Sequence, residues 1–486
     1  MSKFYITTSI AYTNAEPHIG FALELVQADV LARFHREAGD DVFFLTGTDD
    51  HGIKIQNSAK KAKISPEKYV GNKIILFKEL AKQLNISNDD FISTSDKKKH
   101  WAGPIFMWNK LVEANAIYLK DYEAWYCEGC EAFVNPRDLV DGKCPNHAKA
   151  PELVKEKNYF FALSKYKNQI IDAILANKIN IIPLERKNEM LNIIKEMEDV
   201  SFSRSVEKLQ WGIPVVNDNK QMMYVWCDAL TNYISALGYG TDKTKKLNKF
   251  WPADVHMIGK DILKFHAAIW PAMLLAAGLQ LPKTLFVHGF ITSEGQKMSK
   301  SLGNVVDPFE YIKKYGADAV RYYLLREIAP TGDGDFSIKR FEQVYNGELA
   351  NELGNLVQRT IILLSKNKQD INPEISKKDV RFLHGTQVSG KRLRPTFFEI
   401  SEQFKFNDFL KDIWKDIREA NEYIEHSKPW ELAKTNPAKL KKILTELVGR
   451  LDLIAYNLSP FLPETSEKIQ KQLKTLKPEV LFPRIK

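Results

Sequence analysis

Cysteine is scarce: the chain has four in 486 residues, and three of them fall between Cys127 and Cys144. That usage excludes a disulfide framework and suits a reducing compartment with one local metal site. The fourth, Cys227, stands alone in an apolar run. Long hydrophobic runs are also missing. The longest, 265–279, is interrupted by His266 and Pro271 and falls short of the roughly 20 residues a spanning helix needs. No apolar signal core stands at the N-terminus, where 4–11 alternates like a strand. These absences predict a cytoplasmic protein with no membrane contact. No repeat of roughly 20–50 residues and no long low-complexity tract occurs, which excludes solenoids and disordered arrays. Charge of one sign is not in large excess either, at 70 Lys and Arg against 61 Asp and Glu. Most of the net +9 lies from Asn346 onward, where 25 basic residues face 19 acidic ones. Such a bias fits a polyanionic partner, although on charge alone a modestly basic solvated surface is the favoured reading.

The composition, 44% apolar, 27% charged and 11% aromatic, is that of a folded globular chain. Its length divides into about three domains of roughly 150 residues. A strand at 4–11, an amphipathic helix at 17–38 stopped by Gly39, and an apolar run at 41–45 form a strand–helix–strand unit. The pattern returns with strands at 255–258 and 284–290 around a helix at 261–277 stopped by Gly278. This predicts an α/β fold: a doubly wound parallel, Rossmann-like sheet with its ligand site at the strands' carboxyl ends. The sheet's halves are expected at 1–115 and 215–291. An inserted subdomain at 116–214 carries the cysteine cluster, and 292–345 is a loop and linking region. From 346 to 486 helical spacing dominates, as in Phe406, Phe409, Ile413 and Ile417, which predicts a closing α-helical bundle. A polar connection interrupts it at 366–395.

Cys127-Glu-Gly-Cys130 and Cys144-Pro-Asn-His147 form two knuckle-like pairs separated by thirteen residues. Three thiolates and an imidazole close a tetrahedral zinc site with no position left for substrate, so one structural Zn2+ is expected. Reduced, unpaired thiols in a surface loop are the plainer alternative. Two further segments suit phosphates. His18 and Gly20 stand where the first strand gives way to its helix, at an N-terminus that favours anions; His18 could equally be a cap. Lys297 and Lys300 lie in a glycine-bounded loop, Gly295 to Gly303, after the second half of the sheet. Read by itself, it is as easily an ordinary surface loop.

Together, and in this order, Pro17-His18-Ile19-Gly20 and Lys297-Met-Ser-Lys300-Ser301 resemble the paired signatures of class I aminoacyl-tRNA synthetases. Tyr12-Thr-Asn-Ala-Glu-Pro-His18, Phe44-Leu-Thr-Gly-Thr-Asp49-Asp-His51-Gly52, Tyr224-Val-Trp226-Cys-Asp228-Ala, Gly259-Lys260-Asp261 and Phe265-His266 with Trp270 sharpen the likeness to the methionyl-tRNA synthetase family. With the cysteine knuckle and helical end, these segments cover nearly the whole chain. The family's first signature usually ends in a second histidine; here Phe21 stands in its place and cannot donate to ATP phosphates.

The resemblance implies a ligase that attaches methionine, through methionyl-adenylate, to the 2′-hydroxyl of the terminal adenosine of tRNA(Met). It implies ATP with Mg2+, L-methionine and tRNA(Met) as partners. Lys297, Lys300 and His18 are the implied catalytic residues. His18, Gly20, Phe21, Glu24, Gly259, Asp261, Lys297 and Lys300 are implied at ATP. Ile10, Trp226, Leu230, Tyr233, Ile262, His266 and Trp270 map to the walls of the methionine site, and Asp49 to the acceptor for its α-ammonium. Polarisable walls suit a thioether, though each aromatic taken singly could be core. Asn351, Asn355 and Arg359 recur at intervals of four and share a helix face, and Trp430 offers a ring for an unstacked base; the family match makes these the anticodon readers. Absence of an added C-terminal β-barrel leads to the expectation of a monomer. Two alternatives remain: another class I synthetase, for which the insertion is too small to be a large editing domain, and a non-catalytic tRNA-binding relative, motivated by Phe21.

Overall fold

A strand that is apolar on both faces, such as Lys3–Tyr12, needs cover on both sides, the pattern of parallel sheets. The computed structural model describes residues 2–127, 132–134, 139–145, 149–298, 303–367 and 403–485. It separates into two compact units. The first comprises Met1–Pro17, Asp40–Ala81 and Ser87–His288, and the second His18–Gly39, Lys82–Ile86 and Gly289–Lys486.

The first unit is built on six strands: β1 (Lys3–Tyr12), β2 (Asp41–Asp49), β3 (Asp90–Ser93), β4 (Asn180–Ile182), β5 (Val255–Gly259) and β6 (Thr284–His288). Their order is β3-β2-β1-β5-β6-β4, and every pairing is parallel. Tyr5, Phe43, Leu45, Ile258 and Leu285 from the sheet pack with Trp108, Trp270 and Met273 in one buried core. The edge strand β4 comes from within 116–214, so the inserted segment returns to complete the main sheet. Before that it forms a separate antiparallel sheet in the order Ala132–Val134, Ile117–Cys127, Glu152–Phe161, Val200–Ser201. The helix expected at 261–277 is not regular. A 3-10 turn at Lys260–Ile262 is followed by a wide π turn at Phe265–Ile269 and an α-helix at Trp270–Ala276. Pro271 has no N–H for the helical ladder, and the turn before it widens accordingly. Gly278 then adopts φ +69, a left-handed stop.

The second unit contains α1 (Ile19–Ala38), ended by Gly39 at φ +94, and the chain's helical C-terminal part. There α2 (Ala317–Arg326), α3 (Asn355–Lys366), α4 (Phe406–Ser427), α5 (Pro437–Leu458) and α6 (Pro463–Thr475) pack together. Phe406, Phe409, Ile413 and Ile417 are buried on one side of α4. Most of the expected connection at 366–395 lies outside the described residues. Buried charge ties this unit together. Asp29 of α1 accepts from Arg33 at 2.7 Å and Arg321 of α2 at 2.8 Å. Arg321, fully buried, also donates to the carbonyls of Leu84, Pro460 and Phe461 at 3.1, 2.9 and 2.7 Å. A rigid fork of five donors is matched to acceptors on several segments at once.

One turn before Arg321, the buried Asp318 accepts from the Thr465 N–H at 2.6 Å. Burial pushes its carboxyl up to about 6, against the pull of Arg321. The unfolded group ionises near 3.8, so its stabilising contribution is complete below that value and is lost as pH rises through about 6. Between about pH 5 and about pH 7.5 the wild type should therefore lose about 1 kcal/mol relative to Asp318→Asn. Urea unfolding of both proteins at the two pH values checks this; a difference that does not change with pH contradicts it.

Candidate active site

Parallel strands deliver their loops to one edge, and the residues mapped to the amino-acid pocket all fall in the first unit, Ile10 and Asp49 toward the carboxyl ends of their strands. Ile10 lies near the end of β1, opposite Gly47 of β2, and Asp49 ends β2 opposite Tyr12. Between Ile10 and Thr7 the β1–β2 register shifts, which re-aims the residues beyond it. A Cβ on Gly47 would sit 2.1 Å from the Ile92 carbonyl oxygen, so only glycine allows β2 and β3 to approach here.

The helix Val225–Leu230 carries Trp226 and Leu230, and Asn232–Ser235 carries Tyr233. Trp226 packs on Tyr224 and Phe265, with ring centroids 5.0 and 4.5 Å away. The Tyr233 hydroxyl lies 2.7 Å from His266 Nε2, and His266 Nδ1 lies 3.0 Å from the Ile262 carbonyl. A carbonyl can only accept, so Nδ1 carries the proton and Nε2 accepts from Tyr233. Tyr233 thus holds His266 in one tautomer. Trp270 has no exposed surface and stands behind Tyr233, 6.0 Å between centroids. It backs the pocket from the core. His256 sits 4.3 Å from the Tyr233 ring; burial, with His266 next, holds its pKa well below the usual imidazole range.

A second buried cluster lies beside this group. Asp228, on the helix of Trp226, is 2.5 Å from His51 Nδ1 and 2.7 Å from His100 Nε2. His100 Nδ1 is 2.7 Å from the Ser235 hydroxyl. Burial raises the Asp228 carboxyl, but the two imidazoles outweigh it and bring it down to about 2. The preceding residue contributes no nucleophile: burial pushes the Cys227 thiol far up. Sequence reading passed over Asp228, His51 and His100 because 177 and 128 positions separate the partners. The available signal was the presence of His51 and Asp228 inside segments already singled out.

Gly259 ends β5, and Asp261 lies in the 3-10 turn that follows. A Cβ at Gly259 would meet Asp261 Oδ1 at 2.8 Å, so glycine lets that carboxylate fold back over the strand end.

In the second unit His18 is the N-cap of α1: its Nδ1 accepts from the Gly20 N–H at 3.1 Å. The cap role left open by sequence is therefore present, and it puts the neutral ring's proton on Nε2. A Cβ on Gly20 would lie 2.9 Å from that imidazole. Phe21 and Glu24 are nearly buried along the first turns of α1. Lys297 is exposed in the short strand Gln296–Lys297, which pairs with Ile291–Ser293 across a turn at Glu294 and Gly295, both at positive φ. Asn304 donates to the Lys297 carbonyl at 3.2 Å, closing the base of the loop. Lys300 lies outside the described residues. The Ile19 N–H donates to the Val306 carbonyl at 3.2 Å, so the start of α1 abuts the segment that leaves this loop.

Also in the second unit, the helix around the mapped anticodon readers is a wide π-type coil at Tyr345–Gly354 that continues as α3. Their shared face survives: Asn355 Nδ2 donates to Asn351 Oδ1 at 2.9 Å. The Arg359 guanidinium lies 5.9 Å from the ring centre of Trp430 and 2.6 Å from Glu425. Trp430 is 50% exposed. Of the cysteine cluster, Cys127 and Cys144 are described, and Cys130 and His147 are not. Both described cysteines are buried. Cys127 pairs with Ala132 of the neighbouring antiparallel strand, and Cys144 directly follows the Val140–Lys143 bridge. Among the described residues no group of three metal-ligating side chains occurs.

A family model described as class I tRNA synthetases (M) matches 4–152 and 134–361, and one described as the anticodon binding domain of methionyl tRNA ligase matches 394–483. The chain is 44% identical to the methionine–tRNA ligase of Clostridium acetobutylicum, over 99% of this chain and 78% of the relative. To that of Rickettsia felis it is 42% identical, over 99% and 94%. Methionyl-tRNA synthetase of Mycobacterium tuberculosis in complex with methionyl-adenylate matches at TM-score 0.87 and 34% identity, over 100% of this chain and 99% of that one. The apo form of that enzyme matches at 0.82 and 31%. Among the described residues no helix is long and apolar enough to cross a membrane. The chain belongs to the methionine–tRNA ligase family of class I aminoacyl-tRNA synthetases, and it is a ligase that joins methionine to tRNA.

Proposed function

We propose that the strand ends of the first unit hold methionine, with Asp49 accepting its α-ammonium and Ile10, Trp226, Leu230, Tyr233, Ile262 and His266 enclosing the thioether, backed by Trp270. The observation that carries this reading is the Tyr233–His266–Ile262 chain, which fixes a polar contact among aromatic walls on the segment that follows β5. A polarisable sulfur gains from such walls, and a fixed hydrogen-bond donor or acceptor rejects substrates that leave it unpaired.

The carboxylate of bound methionine attacks the α-phosphorus of ATP. The acid anhydride forms, the α–β phosphoanhydride bond breaks, and pyrophosphate leaves. Lys297 and Lys300 neutralise the departing phosphates, and His18, with its proton on Nε2, donates to ATP. Gly20 gives close backbone approach at the start of α1, Phe21 and Glu24 serve ATP from the same helix, and Gly259 and Asp261 serve the nucleoside from the end of β5. Mg2+ bound to ATP supplies further charge neutralisation. No enzyme nucleophile is required; positioning and electrostatic stabilisation supply the rate. The adenylate carbonyl is then attacked by the 2′-hydroxyl of the terminal adenosine of tRNA(Met), releasing AMP. Asn351, Asn355, Arg359 and Trp430 read the anticodon: amides and guanidinium at base edges, the exposed indole as a stacking platform. Such a ligase works in the cytoplasm, where tRNA is used.

Cys127, Cys130, Cys144 and His147 would hold one structural Zn2+. Two buried thiols, Cys127 at the end of its strand and Cys144 directly after the Val140–Lys143 bridge, suit the thiolate donors of such a site. The ion would hold a small sheet together, away from the reacting atoms.

Lys297→Ala and Lys300→Ala should each slow adenylate formation roughly 10²–10³-fold while leaving the methionine KM nearly unchanged. Single-turnover adenylate assays check this, and an unchanged rate overturns the role. Trp430→Ala should raise the KM for tRNA roughly tenfold or more, from the loss of base stacking, with pyrophosphate exchange untouched. If exchange falls in parallel, Trp430 is not an anticodon reader. Metal analysis should find one zinc per chain, and chelation should lower the melting temperature. Unchanged metal content in Cys127→Ser would contradict the ligand assignment.

A further inference from the structure

The His51–Asp228–His100–Ser235 cluster has no part in the roles assigned above. His51, His100, Asp228 and Ser235 are 2, 0, 1 and 4% exposed. A carboxylate with so little access to water must find its donors within the protein. Asp228 finds two, one on each oxygen, at 2.5 Å from His51 Nδ1 and 2.7 Å from His100 Nε2. Because the carboxylate only accepts, both of those nitrogens carry protons, and His100 Nδ1 pairs with the Ser235 hydroxyl at 2.7 Å. Each imidazole is thereby fixed in tautomer and orientation.

The chain of contacts joins three segments. Asp228 is two residues beyond Trp226 and two before Leu230, and Ser235 is two beyond Tyr233, so the cluster brackets the pocket walls on both helices. At its other end, His51 is two residues past Asp49. Its ring is wedged edge-on against Trp211 and Trp101, at 5.2 and 6.1 Å, while the Trp211 indole donates to the Asp50 carbonyl. The link after β2 is therefore held rigidly.

Resting on the methionine-pocket reading, we infer that His51 is a positioning residue: through Nδ1 and Asp228 it sets the distance between the ammonium acceptor Asp49 and the thioether walls Trp226, Leu230 and Tyr233. Methionine is recognised at two ends, and the cluster spans them. If the His51 donor is removed, Asp228 keeps its charge with one oxygen unpaired, and its helix must shift to find another donor. The walls move with it, and amino-acid binding suffers while ATP binding does not.

The test uses the two geometries of imidazole. Asparagine at position 51 reproduces the donor at Nδ1; glutamine reproduces the reach of Nε2, which is buried and has no hydrogen-bond partner. Pyrophosphate exchange is measured for His51→Ala, His51→Asn and His51→Gln, with Asp49→Asn as reference. His51→Ala and His51→Gln should raise the methionine KM about tenfold or more, with the ATP KM within about twofold of wild type and His51→Asn largely restored. The inference is overturned if His51→Ala matches wild type, if both KM values rise together, or if glutamine restores binding and asparagine does not, since His51 would then act through Nε2. A methionine KM that responds to Asp49→Asn and not to His51→Ala overturns it and leaves the pocket intact. If neither variant moves that KM, the pocket reading fails as well.

Discussion

Parallel strands cannot be joined by tight turns; each needs a crossover, and the loops that follow the strands collect along one edge of the sheet. The six parallel strands of the first unit impose that constraint. Asp49 ends one strand, with Asp50 and His51 directly after it, and Gly259 ends another, with Asp261 just beyond, although more than 200 residues separate them in sequence. The core beneath them is apolar and fully buried, so the site's polar groups have a rigid floor. The close approach at Gly47 and the register shift in β1 belong to the same edge, where regular pairing gives way to side-chain placement.

Burial then decides how the polar groups behave. Three imidazoles and a carboxylate are withdrawn from water near this edge, and each imidazole has one nitrogen fixed by a partner that can only accept. Tyr233 and Ile262 determine the tautomer of His266, and Asp228 determines those of His51 and His100. Ring orientation and the position of one proton on each ring are thereby fixed before a ligand arrives, as preorganised recognition requires. In the second unit Arg321 plays a comparable role for architecture, joining α1, the 82–86 segment and the chain before α6 through one guanidinium.

Much of this was legible in the sequence. The helix expected at 17–38 forms at Ile19–Ala38, because an N-capping histidine opens it and Gly39 closes it. The strands expected at 4–11, 255–258 and 284–290 stand as β1, β5 and β6, where apolar runs are bounded by turn residues. The parts that escaped are those in which tertiary context outweighs local pattern. β4 is three residues in a polar neighbourhood, too short for periodicity to register. The π turns at 265–269 and 345–354 break the 3.6-residue rule without an obvious marker, apart from Pro271 in the first. The Asp228 cluster depends on contacts between residues far apart in the chain, which no local pattern encodes. Phe21 could be noticed as a departure; the structure places it nearly buried in the first turn of α1.

The central claim is that this site selects methionine and activates it with ATP, Phe21 included. The most direct measurement is amino-acid-dependent exchange of labelled pyrophosphate into ATP, run with methionine and, in parallel, with each other standard amino acid. Exchange that depends on methionine alone is the result predicted. Exchange driven by a different amino acid would contradict the pocket, and no exchange with any would contradict the catalytic assignment.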